Sequence, residues 1–453
     1  MKIAIVFGKG LDGCGVEKYA AVFQEFLSEE VDVFSLKEKS FTRSGCHIGP
    51  YKEFLPEDMR ETAKMLDENY DIVIYNSYPG NSNKPSTIRS FFFDLMLNVN
   101  KPITVGMMHE IKKANYERIP MHIAIANQCD QVYNFSTTTD YSTAVKSILT
   151  HKKDRIRRFA MPMGINYKST PFEQKEKRII YAGRWTSMKG PNRILNFLNI
   201  PNNEFKANLI GIERSIGAKG DIIDHPNCTY QPKFDNWKED IDNFSVFGPY
   251  PYDVGQELLS TSMFGYSGFT LPKEPQNYGD RMEYSQMEIF INGTIPVFDK
   301  HYGENNVDSN GVRYIDNDKI ALWSAEKDLS DVYDQMVEIA NNKELYEEYV
   351  KNGKEFVYRE VSSDIVVPAF VKEIQELGKD ENKISFDELL TLVHGENGIE
   401  NFNKMAEAQP DYALAFNVKD CVRNEYSYYI KKKREIFDPY AEDKEVEIDE
   451  DEW

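Results

Sequence analysis

A chain of 453 residues is too long for one hydrophobic core, so two or more domains are expected. Its 41% apolar content suits a globular protein, and no apolar run approaches the ~18 residues of a membrane span. The net charge of −20 argues against a uniformly nucleic-acid-binding surface, yet −11 of it falls in residues 376–453.

The five cysteines (Cys14, Cys46, Cys129, Cys228, Cys421) show no CxxC or Cys/His spacing, which argues against a disulfide scaffold or a zinc site. The N-terminus, Met1-Lys-Ile-Ala-Ile-Val-Phe-Gly, is too short in apolar length for a signal peptide and lacks a cleavage site. It reads as a buried first strand of a cytoplasmic protein.

Along the first half, strands are expected at Lys2–Phe7, Val31–Ser35, Asp71–Tyr75, Ile103–Met107 and Gln131–Asn134. Helices are expected between and after them at Val16–Leu27, Pro56–Asp67, Ser86–Leu97 and Thr138–Leu149. This alternation implies a parallel, doubly wound sheet. A Pro/Gly/Ser/Thr-rich stretch from Met161 to Pro171 interrupts the rhythm and reads as a linker. The rhythm restarts with strand Arg178–Ala182, helix Pro191–Leu198 and strand Lys206–Ile210. Strand Met263–Tyr266, helix Met282–Ile291 and strand Thr294–Phe298 follow, then helices Asp328–Asn341 and Lys343–Glu376. Residues 386–435 read as helical, and Ala441–Trp453, with eight acids and one lysine, as a disordered tail.

Three segments could carry chemistry. The first turn, Gly8-Lys-Gly10-Leu-Asp-Gly13-Cys-Gly15, contains GxGxxG, but the second strand ends Val33-Phe-Ser-Leu-Lys37 without the acid a dinucleotide fingerprint requires. What is left is a glycine loop whose N–H groups can approach an anion, or a tight turn with no ligand. Next, Tyr181-Ala-Gly183-Arg184 with Lys189-Gly190 places two cations just before a helix, where they could neutralise a departing diphosphate or form an exposed basic turn. Finally, Glu283 and Glu288 lie on the helix that runs into Gly293-Thr-Ile-Pro-Val-Phe298. There Glu288 could accept hydrogen bonds from ribose hydroxyls or simply face solvent.

These segments, in the same order along the chain, resemble the DNA α-glucosyltransferases of T-even bacteriophages, which are retaining GT-B enzymes. The matching pieces are Gly10–Val16, Lys39–Arg43, Asp71–Ser77, Gly183-Arg184 with Lys189-Gly190, Ile212–Ser215, Phe264–Tyr266, Glu283–Phe298 and Gly303–Asn305. The Gly-Arg-x4-Lys-Gly pattern is shared by many GT-B enzymes; the glycine loop, Lys39–Arg43 and Gly293–Phe298 are more specific.

The resemblance implies an α/β, GT-B fold: two Rossmann-like domains facing across a cleft, with a helical C-terminal appendix and an acidic tail. The corresponding boundaries are an acceptor domain at 1–163, a linker at 164–177, a sugar-nucleotide domain at 178–360 and a returning helix at 361–378. An appendix at 379–440 and a tail at 441–453 complete the chain.

It also implies transfer of a sugar, glucose first, from a UDP-sugar to 5-hydroxymethylcytosine in duplex DNA by a monomer. No cofactor, metal or membrane would take part, because basic groups replace the metal. Arg184 and Lys189 would grip the diphosphate and Glu288 the ribose. Gly13, Cys14, Gly15 and Glu283 would also line the donor site, and His109 and Glu110 would stand at the sugar and acceptor. Lys39, Ser40, Phe41, Thr42 and Arg43 would face DNA. Two departures stand out. Glu110 replaces the family's Asp, which leaves a pentose donor such as UDP-arabinose open. The Glu-x7-Glu spacing of retaining enzymes is met only by Asp280 and Glu288, so Asp280 and Glu283 are alternatives for the group facing the sugar. A more remote alternative is a transferase acting on a glycan or lipid.

Overall fold

The computed structural model describes residues 1–7, 15–27, 30–35, 52–53, 59–77, 99–108, 129–134, 156–158, 160–167, 169–183, 190–211, 246–247, 252–268 and 282–379. Described residues up to 158, together with 369–379, belong to one compact unit, and 160–368 to a second. Of the expected elements, helices Ser86–Leu97 and Thr138–Leu149 lie outside the described residues, as do the tail and all of the appendix but Lys379.

The first unit is built on seven parallel strands: β1 (Ile3–Phe7), β2 (Val31–Ser35), β3 (Lys52–Glu53), β4 (Ile72–Ser77), β5 (Ile103–Met108), β6 (Gln131–Asn134) and β7 (Ile156–Arg158). Their order is β3-β2-β1-β4-β5-β6-β7. β1 is an unbroken apolar run because it is central, with Ile3 in register with Val31 on one side and Ile72 on the other. Helix α1 (Gly15–Phe26) buries Tyr19, Ala20 and Phe23, a stripe at i, i+1 and i+4, and α2 (Met59–Asn69) buries Ala63 and Leu66. Where polar groups enter this core they are matched. The Asp130 carboxylate accepts from the Thr104 N–H at 2.7 Å and its hydroxyl at 2.9 Å, tying β5 to the start of β6.

The second unit has six parallel strands: β8 (Glu176–Ala182), β9 (Lys206–Gly211), β10 (Val246–Phe247), β11 (Ser262–Tyr266), β12 (Ile295–Asp299) and β13 (Leu322–Ser324). Their order is β10-β9-β8-β11-β12-β13. Helices α3 (Pro191–Leu198), α4 (Tyr252–Thr261), α5 (Tyr284–Ile291) and α6 (Lys300–Asn305) connect strands, and α7 (Tyr333–Asn341) and α8 (Lys343–Val361) follow the last one. α5 presses onto β11 so closely that a Cβ at Gly265 would lie 2.8 Å from the Ile289 side chain, so only glycine fits there.

Both sheets thus follow the Rossmann order, in which the sheet grows outward through its first three strands and the fourth returns to the free side of the first. One expectation is corrected: Lys343–Glu376 is not a single helix but α8 followed by α9 (Ser363–Gln375). Ser362 is extended, and Met163 pairs with this break, its N–H donating to Val361 O and its carbonyl accepting from Ser363 N–H, both at 2.8 Å. Val361-Ser-Ser-Asp364 is weak in helix propensity, Ser and Asp favour caps, and the pairing with Met163 fixes the break there. The stretch read as linker is also structured at its end, because β8 begins at Glu176.

Candidate active site

In an open parallel sheet, ligands bind beyond the carboxyl ends of the strands where the order reverses. In the second unit that point lies between β8 and β11. Gly183 follows β8 with φ +156°, its N–H held by Ile210 O at 3.0 Å. The described chain resumes at Gly190, which caps α3 in the left-handed conformation (φ +65°, ψ +38°), with Pro191 opening the helix. Arg184 and Lys189 fall in the interval between these glycines and lie outside the described residues.

The neighbouring strand, β11, leads to α5. Glu283 is the N-cap of α5, and its N–H donates to Gln286 Oε1 at 2.8 Å, half of a capping box. Tyr284 anchors the same turn by donating to Pro162 O at 2.9 Å. Within α5 only Ser285 and Glu288 are half-buried, and the other six residues are buried. Three residues apart, these two share one stripe. Ser285 Oγ lies 3.1 Å from Ser267 Oγ, directly after β11, so that stripe begins at the carboxyl edge of the sheet. Glu283 and Glu288 are about 140° apart around the helix axis at ~100° per residue and do not share a face. Only Glu288 continues the Ser285 stripe.

Sequence reading missed a third feature. Arg193, in the first turn of α3, forms an ion pair with Asp299 at the end of β12. Nearby, the Tyr266 hydroxyl is fully buried at the end of β11, and burial pushes its pKa up, a shift the Arg193 charge partly opposes. The Arg193–Asp299 pair ties the start of α3, just after the Arg184–Lys189 interval, to the end of β12. The available signal was weak: an acid closing the apolar run Ile295-Pro-Val-Phe-Asp299 and a basic residue in a first helical turn.

In the first unit the order reverses between β1 and β4. α1 starts at Gly15, so Gly13 and Cys14 fall in the interval after β1, outside the described residues. Also outside them are Lys39–Arg43, in the interval after β2, His109 and Glu110, which directly follow β5, and Asp280. Every segment singled out from sequence nevertheless follows the carboxyl end of a parallel strand.

Two Rossmann-ordered sheets in series, with candidate segments after their strand carboxyl ends, have the fold of the GT-B class. No family model matches the chain. It is similar to the DNA α-glucosyltransferase of Enterobacteria phage T4, at 26% identity over 403 residues, covering 80% of this chain and 97% of the phage protein. Among solved structures, an α-glucosyltransferase in complex with UDP and a DNA containing a HMU base superposes with a TM-score of 0.70 at 22% identity, covering 83% of this chain and 99% of that one. HepE of Anabaena in complex with UDP-glucose shares the fold at 10% identity, with a TM-score of 0.58 and the same 83% coverage, spanning 100% of that chain.

Proposed function

We propose that this chain transfers a sugar from a UDP-sugar onto the hydroxyl of 5-hydroxymethylcytosine in duplex DNA, with retention at the anomeric carbon and glucose as the first donor to test. One observation carries the reading: in both sheets the candidate charged and glycine segments follow strand carboxyl ends, at or beside the reversal points. The phage relative, a DNA α-glucosyltransferase, supports DNA as the acceptor class, and the hydroxymethyl base in the DNA of the superposed complex supports its hydroxyl.

Arg184 and Lys189 neutralise the diphosphate as the bond from the anomeric carbon to its oxygen breaks. Glu288, continuing the half-buried stripe of α5, accepts hydrogen bonds from the ribose hydroxyls. The acceptor oxygen attacks from the face the diphosphate leaves, and its proton passes to a leaving phosphate oxygen. Since a stacked base hides its hydroxymethyl group, the base turns out of the helix first. Lys39–Arg43 hold the DNA, and His109 and Glu110 stand at the sugar and the acceptor.

A second reading keeps the acceptor and changes the donor to a pentose. It is favoured by Glu110, whose carboxylate sits one methylene further out than the Asp of the resembling family. UDP release tests the shared chemistry: release is expected only when duplex DNA carries the hydroxymethyl base, and excess chelator leaves it unchanged. Equal release with unmodified DNA, or dependence on an added divalent metal, contradicts the proposal.

A further inference from the structure

A separate cavity of about 490 Å³ lies beside the segment leading into β8, within the ~300–1,000 Å³ typical of small-molecule sites. Tyr167 and residues 169–172, including Phe172, form one wall, and α8 forms the other, with Tyr346, Lys351, Lys354 and Tyr358. Lys351, Lys354 and Tyr358 recur at spacings of three and four, so α8 presents them along one stripe.

The charges are uneven. The Lys354 ammonium is half-buried over the Tyr167 ring, 5.1 Å from its centroid, and the Tyr167 hydroxyl donates to the Lys354 carbonyl at 3.0 Å. Among the described residues no ion pair involves Lys354 or Lys351. The acids on the same lining are Glu347, which faces Lys343 at 3.8 Å, and Glu355. The buried Lys175, outside this lining, stands close enough to Lys354 for charge on the two to repel. The lining itself sets Lys351 and Lys354 against Glu347 and Glu355. Because Glu347 also faces Lys343, the two lysines meet one unshared carboxylate, among four aromatic rings and Ser169, Thr170, Pro171 and Val350.

We propose that this cavity is a second ligand site, for a free nucleoside monophosphate, with its ring against the tyrosine walls and its phosphate on Lys354 and Lys351. The unpaired cations call for an anion, aromatic walls favour a flat ring, and the volume suits one nucleotide. The inference rests on the cavity's own residues and not on the sugar-transfer reading.

Calorimetric titration of the full chain with thymidine monophosphate, thymidine and inorganic phosphate tests it. The monophosphate should bind wild type and Arg184→Ala alike, and Lys354→Met at least ~10-fold more weakly, with Lys354→Arg restoring most of the affinity. Tyr358→Ala, at an exposed position that leaves the core intact, should also weaken binding. Unchanged affinity in both Lys354→Met and Tyr358→Ala overturns the proposal. So does inorganic phosphate binding as tightly as the nucleotide, loss confined to Arg184→Ala, or no binding to wild type.

Discussion

The amino edge of the second sheet holds a lysine among backbone carbonyls, and its carboxyl edge is where the proposed function sets two further cations against a diphosphate. At the amino edge the buried Lys175 ammonium donates to Gly293 O at 2.7 Å, with Asn292 O and Ser262 O at 3.3 and 3.4 Å. It also lies 5.8 Å from the Tyr346 ring centroid, and Tyr346 OH donates to Gly293 O at 2.7 Å. Backbone acceptors surround this cation, and it holds the turn from α5 into β12 together. Past the carboxyl end of β8, Gly183 and Gly190, both with positive φ, bound the sequence interval that holds Arg184 and Lys189. On the proposed function, a lysine's role is set by what its strand end meets: backbone carbonyls at the amino edge, a donor diphosphate at the carboxyl edge.

Mutating the two edges should separate chemistry from stability. The largest effect is expected beyond the carboxyl edge: Arg184→Ala or Lys189→Ala should lower turnover ~100-fold or more, as loss of a preorganised charge stabiliser does. Melting temperature should hardly move. Steady-state rates with circular dichroism melts check both halves, and near-normal turnover in both variants would erase the contrast.

Lys175→Met should do the reverse, lowering stability by about 2 kcal/mol through unsatisfied carbonyls while leaving the donor edge in place. Its pH dependence has a definite sign. Burial, reinforced by repulsion from Lys354, pulls the folded-state pKa of Lys175 down to about 7, from an ordinary value of 10.5. Between these values the unfolded chain binds more protons, so Lys175 makes stability rise with pH from 7 to 10.5 and contributes no slope below pH 7. Lys175→Met removes that rise, so the deficit of the variant should be larger at alkaline than at neutral pH in denaturant titrations. A deficit that shrinks as pH rises would show that the carbonyls hold the charged form at the amino edge.

How far each edge was readable from sequence follows from the length of its signals. β1, β8, β11 and β12 are apolar runs, and their positions were legible because a strand buried on both faces needs continuous apolar residues. β3, β7 and β10, of two or three residues, have no period to read. α4 and α6 were missed as well. Gly183-Arg184 with Lys189-Gly190 was legible as a local pattern. The Arg193–Asp299 pair was not, because its partners lie on α3 and β12 and meet only through the order of strands in the sheet. Lys175 was invisible for the same reason: its acceptors, at Ser262, Asn292 and Gly293, are distant in sequence and belong to the backbone.

The smallest effect concerns the acidic C-terminus. Deleting residues 441–453, with their eight acids and one lysine, should leave turnover intact. DNA binding should tighten slightly at low salt, a gain that fades once screening shortens the reach of charge to ~8 Å at physiological ionic strength. Fluorescence anisotropy across a salt series reads this directly, and a truncated protein that folds but transfers nothing would place the tail within the catalytic machinery.

The most direct test of the central claim is mass spectrometry of nucleosides from hydroxymethylated duplex DNA after incubation with a panel of UDP-sugars. With wild type, 5-hydroxymethylcytosine should gain the mass of one sugar in the α configuration, from UDP-glucose or, on the second reading, from a pentose donor. Glu110→Asp should alter the preference between the two. Unmodified nucleosides after every donor, from a protein that binds both UDP and the duplex, would contradict the account.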